Sequence, residues 1–203
     1  MKKLLVPIDF TPASRNASEY AVSLAKKLEA EVQLLHVYTE PMPVGNVPDP
    51  VFVATSLREE NKLRVGQEMD WLKKQYSMEV HGGSLAGYRG DTIKDTANET
   101  AADLIVMGAK PAHKNKILGS TTLKMIRKSP KPVLVIPEDA RFRPLKNIVL
   151  AVDFSEMVGS AVLEPLFQLA DAFGSSVRVL HVEKKGADMK ASETAEKLHW
   201  GRV

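Results

Sequence analysis

The stretch LIVMGAKPAHKNKILGSTTLKMIRKSPKPVLVI, from Leu104 to Ile136, decides the fold. Leu104–Met107 and Val133–Ile136 are continuous apolar runs bounded by glycine or proline, the pattern of strands buried on both faces. Between them Leu118, Met125 and Ile126 fall at helical spacing. Strand, loop, helix and strand in that order make the two strands parallel, with a right-handed crossover. Gly119-Ser120-Thr121-Thr122 stands where the loop opens the helix. Free backbone N–H groups and the positive end of a helix dipole meet at such a place, and phosphates are held there.

Upstream, the same alternation repeats. Leu4–Ile8 reads as a buried strand ending at Asp9, and Thr11-Pro12 as the N-cap and first turn of a helix whose inner face is Ala17, Ala21, Leu24, Ala25 and Leu28. Val32–Val37 is the next strand. Residues 39–50 hold four prolines (Pro41, Pro43, Pro48 and Pro50) and read as a loop. A long polar helix is predicted over about Ala54 to Tyr76, with Val65, Met69, Leu72 and Tyr76 inward, and a weakly alternating edge strand over Met78–Ser84. Gly87-Tyr88-Arg89-Gly90-Asp91 is a turn, after which Ile93, Ala97 and Ala101 mark the inner face of a further helix. Residues 1–137 thus make an α/β sandwich of five parallel strands. Residues 138–145, with two arginines and Pro144, read as a linker.

Beyond it the chain starts again. KLLVPIDFT (Lys3–Thr11) matches NIVLAVDFS (Asn147–Ser155), placing Asp9 on Asp153, and Leu35-His36-Val37 matches Leu180-His181-Val182. This internal repeat makes residues 146–203 a partial second copy, a β-α-β unit without a counterpart of Leu104–Ile136. Two strands and a helix bury too little apolar surface to stand alone. The partial copy must pack on the first domain or on another subunit, or else the chain is a fragment of a two-copy protein of roughly 280 residues.

Composition narrows the functional classes. A hydrophobic fraction of 44% and a charged fraction of 26% are ordinary for a globular protein, and the net charge of +3, without a basic block or an aromatic-interleaved stripe, argues against a nucleic-acid partner. Without cysteine there is no disulfide framework, thiolate metal site or thiol catalysis. The N-terminus meets Pro7 and Asp9 before a signal-peptide core develops, and no run approaches the roughly 18 apolar residues of a membrane span, so a cytoplasmic protein is expected. Gly-x-x-x-x-Gly-Lys-Ser/Thr, Gly-x-Gly-x-x-Gly, Gly-x-Ser-x-Gly, His-Glu-x-x-His, Ser-Gly-Gly-x-Asp-Ser and His-x-x-His are all missing. An enzyme with a dedicated catalytic constellation is not expected, and no metal site is.

Taken in order, Val6-Pro7-Ile8-Asp9 with Thr11 and Ser14, Leu35-His36-Val37, Asp103–Gly108, Gly119-Ser120 and Lys131-Pro132-Val133-Leu134-Val135 resemble the universal stress protein family in its tandem form. The resemblance covers residues 1–137 and the front half of a second copy. It implies a parallel sheet of order 3-2-1-4-5, frequent homodimers, and in one branch an ATP, with accompanying Mg, at the carboxyl ends of the strands. That branch carries Gly, two residues, Gly, nine residues, then Gly-Ser/Thr. Here Gly108 matches the first glycine, Pro111 replaces the second, and only seven residues precede Gly119-Ser120. Proline offers no N–H to a phosphate.

The residues that would hold the nucleotide by this resemblance are Pro7, Ile8, Asp9, Val37, Met107, Gly108, Gly119, Ser120 and Thr121; no catalytic residue is implied. Asp9 reads equally as a nucleoside contact or as a cap of the turn after its strand. Gly119–Thr122 could grip phosphate or simply cap a helix. Lys110, His113, Lys114 and Lys116 form a basic loop, and His36 and His181 read as packed strand-end histidines. The altered loop implies a non-catalytic binding or interaction module for stress response, with protein partners. The alternative is an ATP-binding stress protein that switches conformation or oligomeric state with nucleotide. Weak ATP hydrolysis rests on the resemblance alone.

Overall fold

In the computed structural model, which describes residues 1–40, 50–110, 118–152 and 160–182, the chain forms two units, Met1–Arg143 and Pro144–Val203. The first unit is a five-stranded parallel sheet of order β3-β2-β1-β4-β5, the arrangement expected. Strand β1 (Lys3–Ile8) runs down its middle and leads into α1 (Pro12–Leu28). Phe10 makes the bend at φ 61°, a left-handed conformation that costs a non-glycine residue roughly 1–3 kcal/mol. Its ring is held by two contacts, 4.5 Å from the His36 ring and 4.1 Å from the Arg64 guanidinium. Thr11 then caps α1 by accepting from the Ser14 N–H, and Pro12 fills the first turn.

Strand β2 (Glu31–Tyr38) pairs with β1 from Lys3↔Glu31 to Ile8↔His36. Helix α2 (Pro50–Tyr76) starts at Pro50, earlier than predicted, because proline suits a helix's first turn. Its buried stripe also departs from the apolar reading. Asn61, Val65, Glu68 and Leu72 are buried, while Met69 and Tyr76 are only half-buried. Glu68 is tolerated inside because Arg15 of α1 meets it through two nitrogens, at 3.1 and 2.5 Å, while also lying over the Trp71 ring. Strand β3 (Val80–Ala86) is an edge, two residues later than predicted, with Gly82 packed where a Cβ would strike Leu34.

Helix α3 (Arg89–Glu99) buries Ile93 and Ala97 as foreseen, but Ala101 lies beyond its end, exposed at φ 51°, and Ala102 turns inward instead. Strand β4 (Leu104–Ala109) is buried as predicted. Helix α4 (Ser120–Lys128) buries Met125 together with Thr122, whereas Ile126 faces outward and Leu118 precedes the helix. Strand β5 (Val133–Pro137) is the sheet's other edge, so Val133–Val135 are half-buried and not enclosed on both faces. Residues 138–143, read as linker, are fastened to α1. Asn16 donates to the carbonyls of Pro137 and Ala140, Arg141 donates to Asn16, and Phe142 packs edge-on against Tyr20.

One close approach fixes α1 on β4. A Cβ added at Gly108 would strike the carbonyl group of Ala13, so the first turn of α1 rests directly on the β4 backbone.

In the second unit β6 (Asn147–Ala151), α5 (Ser160–Phe173) and β7 (Ser176–Leu180) form a two-stranded parallel sheet with its crossover helix. Details of the first unit recur at the matching positions. His36 donates to the Ile8 carbonyl at 2.9 Å, and His181 Nδ1 lies 2.9 Å from the Val152 carbonyl. Glu29 ends α1 at φ 52° and Gly174 ends α5 at φ 60°. The Ala30 and Ser175 N–H groups then reach back to Ala25 and Ala170. Burial does not recur. Val149, Val179 and Val182 are 60%, 61% and 80% exposed, whereas their counterparts Leu5, Leu34 and Val37 are buried. Each exposed side chain forgoes much of the roughly 1.5–3 kcal/mol that full burial contributes.

Two outcomes are expected. Gly108→Ala should cost about 1–3 kcal/mol through backbone displacement and lower the melting temperature by several degrees; melting with the parent would disprove the close approach. In hydrogen exchange, the amides of β6 and β7 should exchange well before those of β1 and β2. Equal protection of the two pairs would contradict the difference in burial.

Candidate ligand cleft

The topology places a crevice between β1 and β4. From β1 the chain winds one way to β2 and β3, then returns to the other side for β4 and β5. At such a switch point the connections leave in opposite directions and open a crevice at the carboxyl ends of the strands. Here β1 and β4 are paired only at Leu4↔Leu104 and Leu5↔Ile105, so they part before their carboxyl ends, and Ala13 of α1 reaches Gly108 in the opening. The resulting cleft has a volume of about 250 Å³.

Its floor is apolar. Leu35 and Val37 from β2, Ile93 from α3 and Met107 from β4 line it, and all four belong to the core cluster beneath α3 and α4. Val37 lies one residue past the last β1–β2 pair, Ile8↔His36. The rim is polar. Pro7, Ile8 and Asp9 end β1, Thr11 and Ser14 open α1, and Gly119, Ser120, Thr121 and Thr122 open α4. Among the described residues no side chain caps the N-terminus of α4. The first N–H groups of a helix have no partners within it, so this end presents donors and the positive pole of the dipole to the cleft.

Asp9 is the cleft's one carboxylate among the described residues. It accepts from the Thr11 N–H at 3.1 Å and the Thr11 hydroxyl at 2.5 Å, while its own N–H donates to Ser14 Oγ at 3.3 Å. Partial burial acts to raise its pKa, but Thr11, Ser14 and the charge of Lys110 outweigh that, and the carboxyl ionises below its ordinary range. A carboxylate held ionised in this way can accept hydrogen bonds but is a weak general base. The capping reading of Asp9 therefore holds, and one of its two oxygens carries both Thr11 bonds.

All nine residues named from the resemblance line this cleft. Pro111, His113, Lys114, Lys116 and Asp153 lie outside the described residues. His36 is away from the cleft, packed between Phe10 and Tyr38. Sequence reasoning missed Arg89, which lines the cleft from the first residue of α3. Its only signal was its place in a turn after a strand, and nothing in the spacing tied that turn to the Gly119 loop. Among the described residues no three His, Cys, Asp or Glu side chains could hold a metal ion, and no helix is long and apolar enough to cross a membrane.

Comparison with known proteins agrees with this architecture. The Universal stress protein family model matches residues 1–137. A universal stress protein of Methanocaldococcus jannaschii is 28% identical over 139 residues, 66% of this chain and 81% of that protein. The solved universal stress protein of Lactobacillus plantarum superposes with a TM-score of 0.56 at 26% identity, over 66% of this chain and 97% of that one. A universal stress protein structure from Archaeoglobus fulgidus, 20% identical, shares the fold over 96% of this chain and 70% of its own, with a TM-score of 0.67. With the family matched across the whole five-stranded unit, this chain belongs to the universal stress protein family.

Proposed function

We propose that the cleft holds an adenine nucleotide and that the chain is a non-catalytic, ligand-responsive stress protein. The observation that carries this reading is the convergence of an apolar floor, an ionised Asp9 and the uncapped N-terminus of α4 in one cleft at the switch point. A purine suits the floor of Leu35, Val37 and Met107. The free oxygen of Asp9 suits a ribose hydroxyl, and the N–H groups and hydroxyls of Gly119–Thr121 suit phosphate. The volume falls just below the roughly 300–1,000 Å³ of typical small-molecule sites, consistent with a nucleoside inside and phosphates over the helix end. Mg would accompany a triphosphate through its phosphate oxygens. Binding would bias a conformational or oligomeric equilibrium and drive no chemistry, since Asp9, the cleft's carboxylate among the described residues, is a poor base.

A second reading is an interaction module of the same fold that no longer takes nucleotide, acting as a homodimer or through protein partners. It is favoured by Pro111, which removes an N–H where the family branch has glycine, and by the two bonds that already hold Asp9 to Thr11. We read residues 146–203 as a partial second family domain. The repeated hydrogen bonds at His36 and His181 and the fold likeness over 96% of the chain support that assignment.

A thermal melt with millimolar Mg-ATP, ADP or AMP separates the two readings. A ligand at 100 times its dissociation constant adds about 2.7 kcal/mol, which for a unit of this size raises the melting temperature by several degrees. The expected result is a rise with ATP that an Asp9→Ala, Ser120→Ala double variant loses. No rise with any nucleotide would overturn the binding reading in favour of the interaction module.

A further inference from the structure

We infer that Arg89 makes the cleft selective for a chain of several phosphates over a nucleoside or its monophosphate; this rests on the nucleotide reading above. Arg89 is the first residue of α3, a position where the helix dipole disfavours a cation, and it is exposed. The expected turn over Gly87–Asp91 gives way to helix at Arg89, and the first turn of α3 is docked on α4 by two contacts. Gly90 leaves room for the stem of Lys124, whose Cδ lies 2.7 Å from where a Cβ would stand, and Asp91 takes Lys124 Nζ at 2.8 Å. Lys124, then Lys94, hold Asp91 ionised down to about pKa 2, so that acid is committed to this bridge.

The N-cap residue of α3, Tyr88, makes no side-chain cap, just as Gly119 makes none for α4. The N-terminus of α4, Arg89 from the first turn of α3, and Lys110 therefore converge on one cleft. Among the described lining residues the one carboxylate against them is Asp9, already accepting from Thr11. Like charges gathered with so little compensation favour a multiply charged anion. A phosphate chain starting over Gly119–Thr121 supplies one, and a guanidinium grips phosphate oxygens in a planar, two-pronged fashion. Arg89 can thus supply donors to phosphate that Pro111 cannot.

The test is calorimetric titration of the full chain and of Arg89→Ala and Arg89→Lys with ATP, ADP, AMP and inorganic tripolyphosphate. In the parent, ATP should bind about tenfold or more tighter than AMP, a preference that shrinks with added salt. Arg89→Ala should reduce that preference to about threefold or less while leaving AMP within about twofold; Arg89→Lys should retain part of it. A preference that survives Arg89→Ala, or AMP affinity that falls in step with ATP, would overturn the inference. Tripolyphosphate separates this inference from the nucleotide reading. If the parent takes tripolyphosphate in an Arg89-dependent way but no nucleotide, the adenine assignment falls and the role of Arg89 stands. If it takes neither, both fall. Because Arg89 is exposed, its variants should melt with the unliganded parent, which checks that folding is intact.

Discussion

The contact on which the first unit depends is backbone against backbone. Gly108 presents no Cβ, and the carbonyl group of Ala13 occupies that space. The start of α1 is thereby held on β4, between carboxyl ends that have already separated after Leu5↔Ile105. The same strand carries Met107 into the cleft floor. One missing methyl group therefore serves both packing and site. A glycine here is required by sterics whether or not a ligand binds, so its presence alone says little about nucleotide.

Electrostatics separate the helices more clearly than their apolar faces do. Helix α1 meets its own needs locally, since Thr11 caps it and Asp9 steadies Thr11. Helices α3 and α4 are held to each other through Asp91 and Lys124, yet both leave their N-termini without side-chain caps. The first N–H groups of a helix have no partner within it, so such ends retain hydrogen-bonding capacity. Local capping and unspent donor capacity are thus divided among different helices.

The described part of the second unit is a β-α-β element with two paired strands. Its local geometry is that of the first, down to the histidine–carbonyl contact and the left-handed residue that ends the helix. Those features depend on residues near in sequence or one strand away. Val149, Val179 and Val182 nonetheless stay exposed, because burial depends on contacts from elsewhere in the fold. Local conformation and core formation are here visibly separate steps.

Order and type of the elements were legible from sequence because they follow from periodicity and punctuation: continuous apolar strands, Thr11-Pro12 at a helix start, prolines between elements. The strand order and the nine cleft residues were legible only through family resemblance, since no spacing in the chain joins Asp9 to Gly119. Tertiary structure alone decided the rest. It buried Glu68 by giving it Arg15, turned Ile126 and Ala101 outward, made β5 an edge, and tied residues 138–143 to α1. It also brought Arg89 to the mouth of α4. A sequence fixes what each segment prefers over a few residues. Which polar group finds a partner, and which apolar one is covered, depends on segments far along the chain that only the folded sheet brings together.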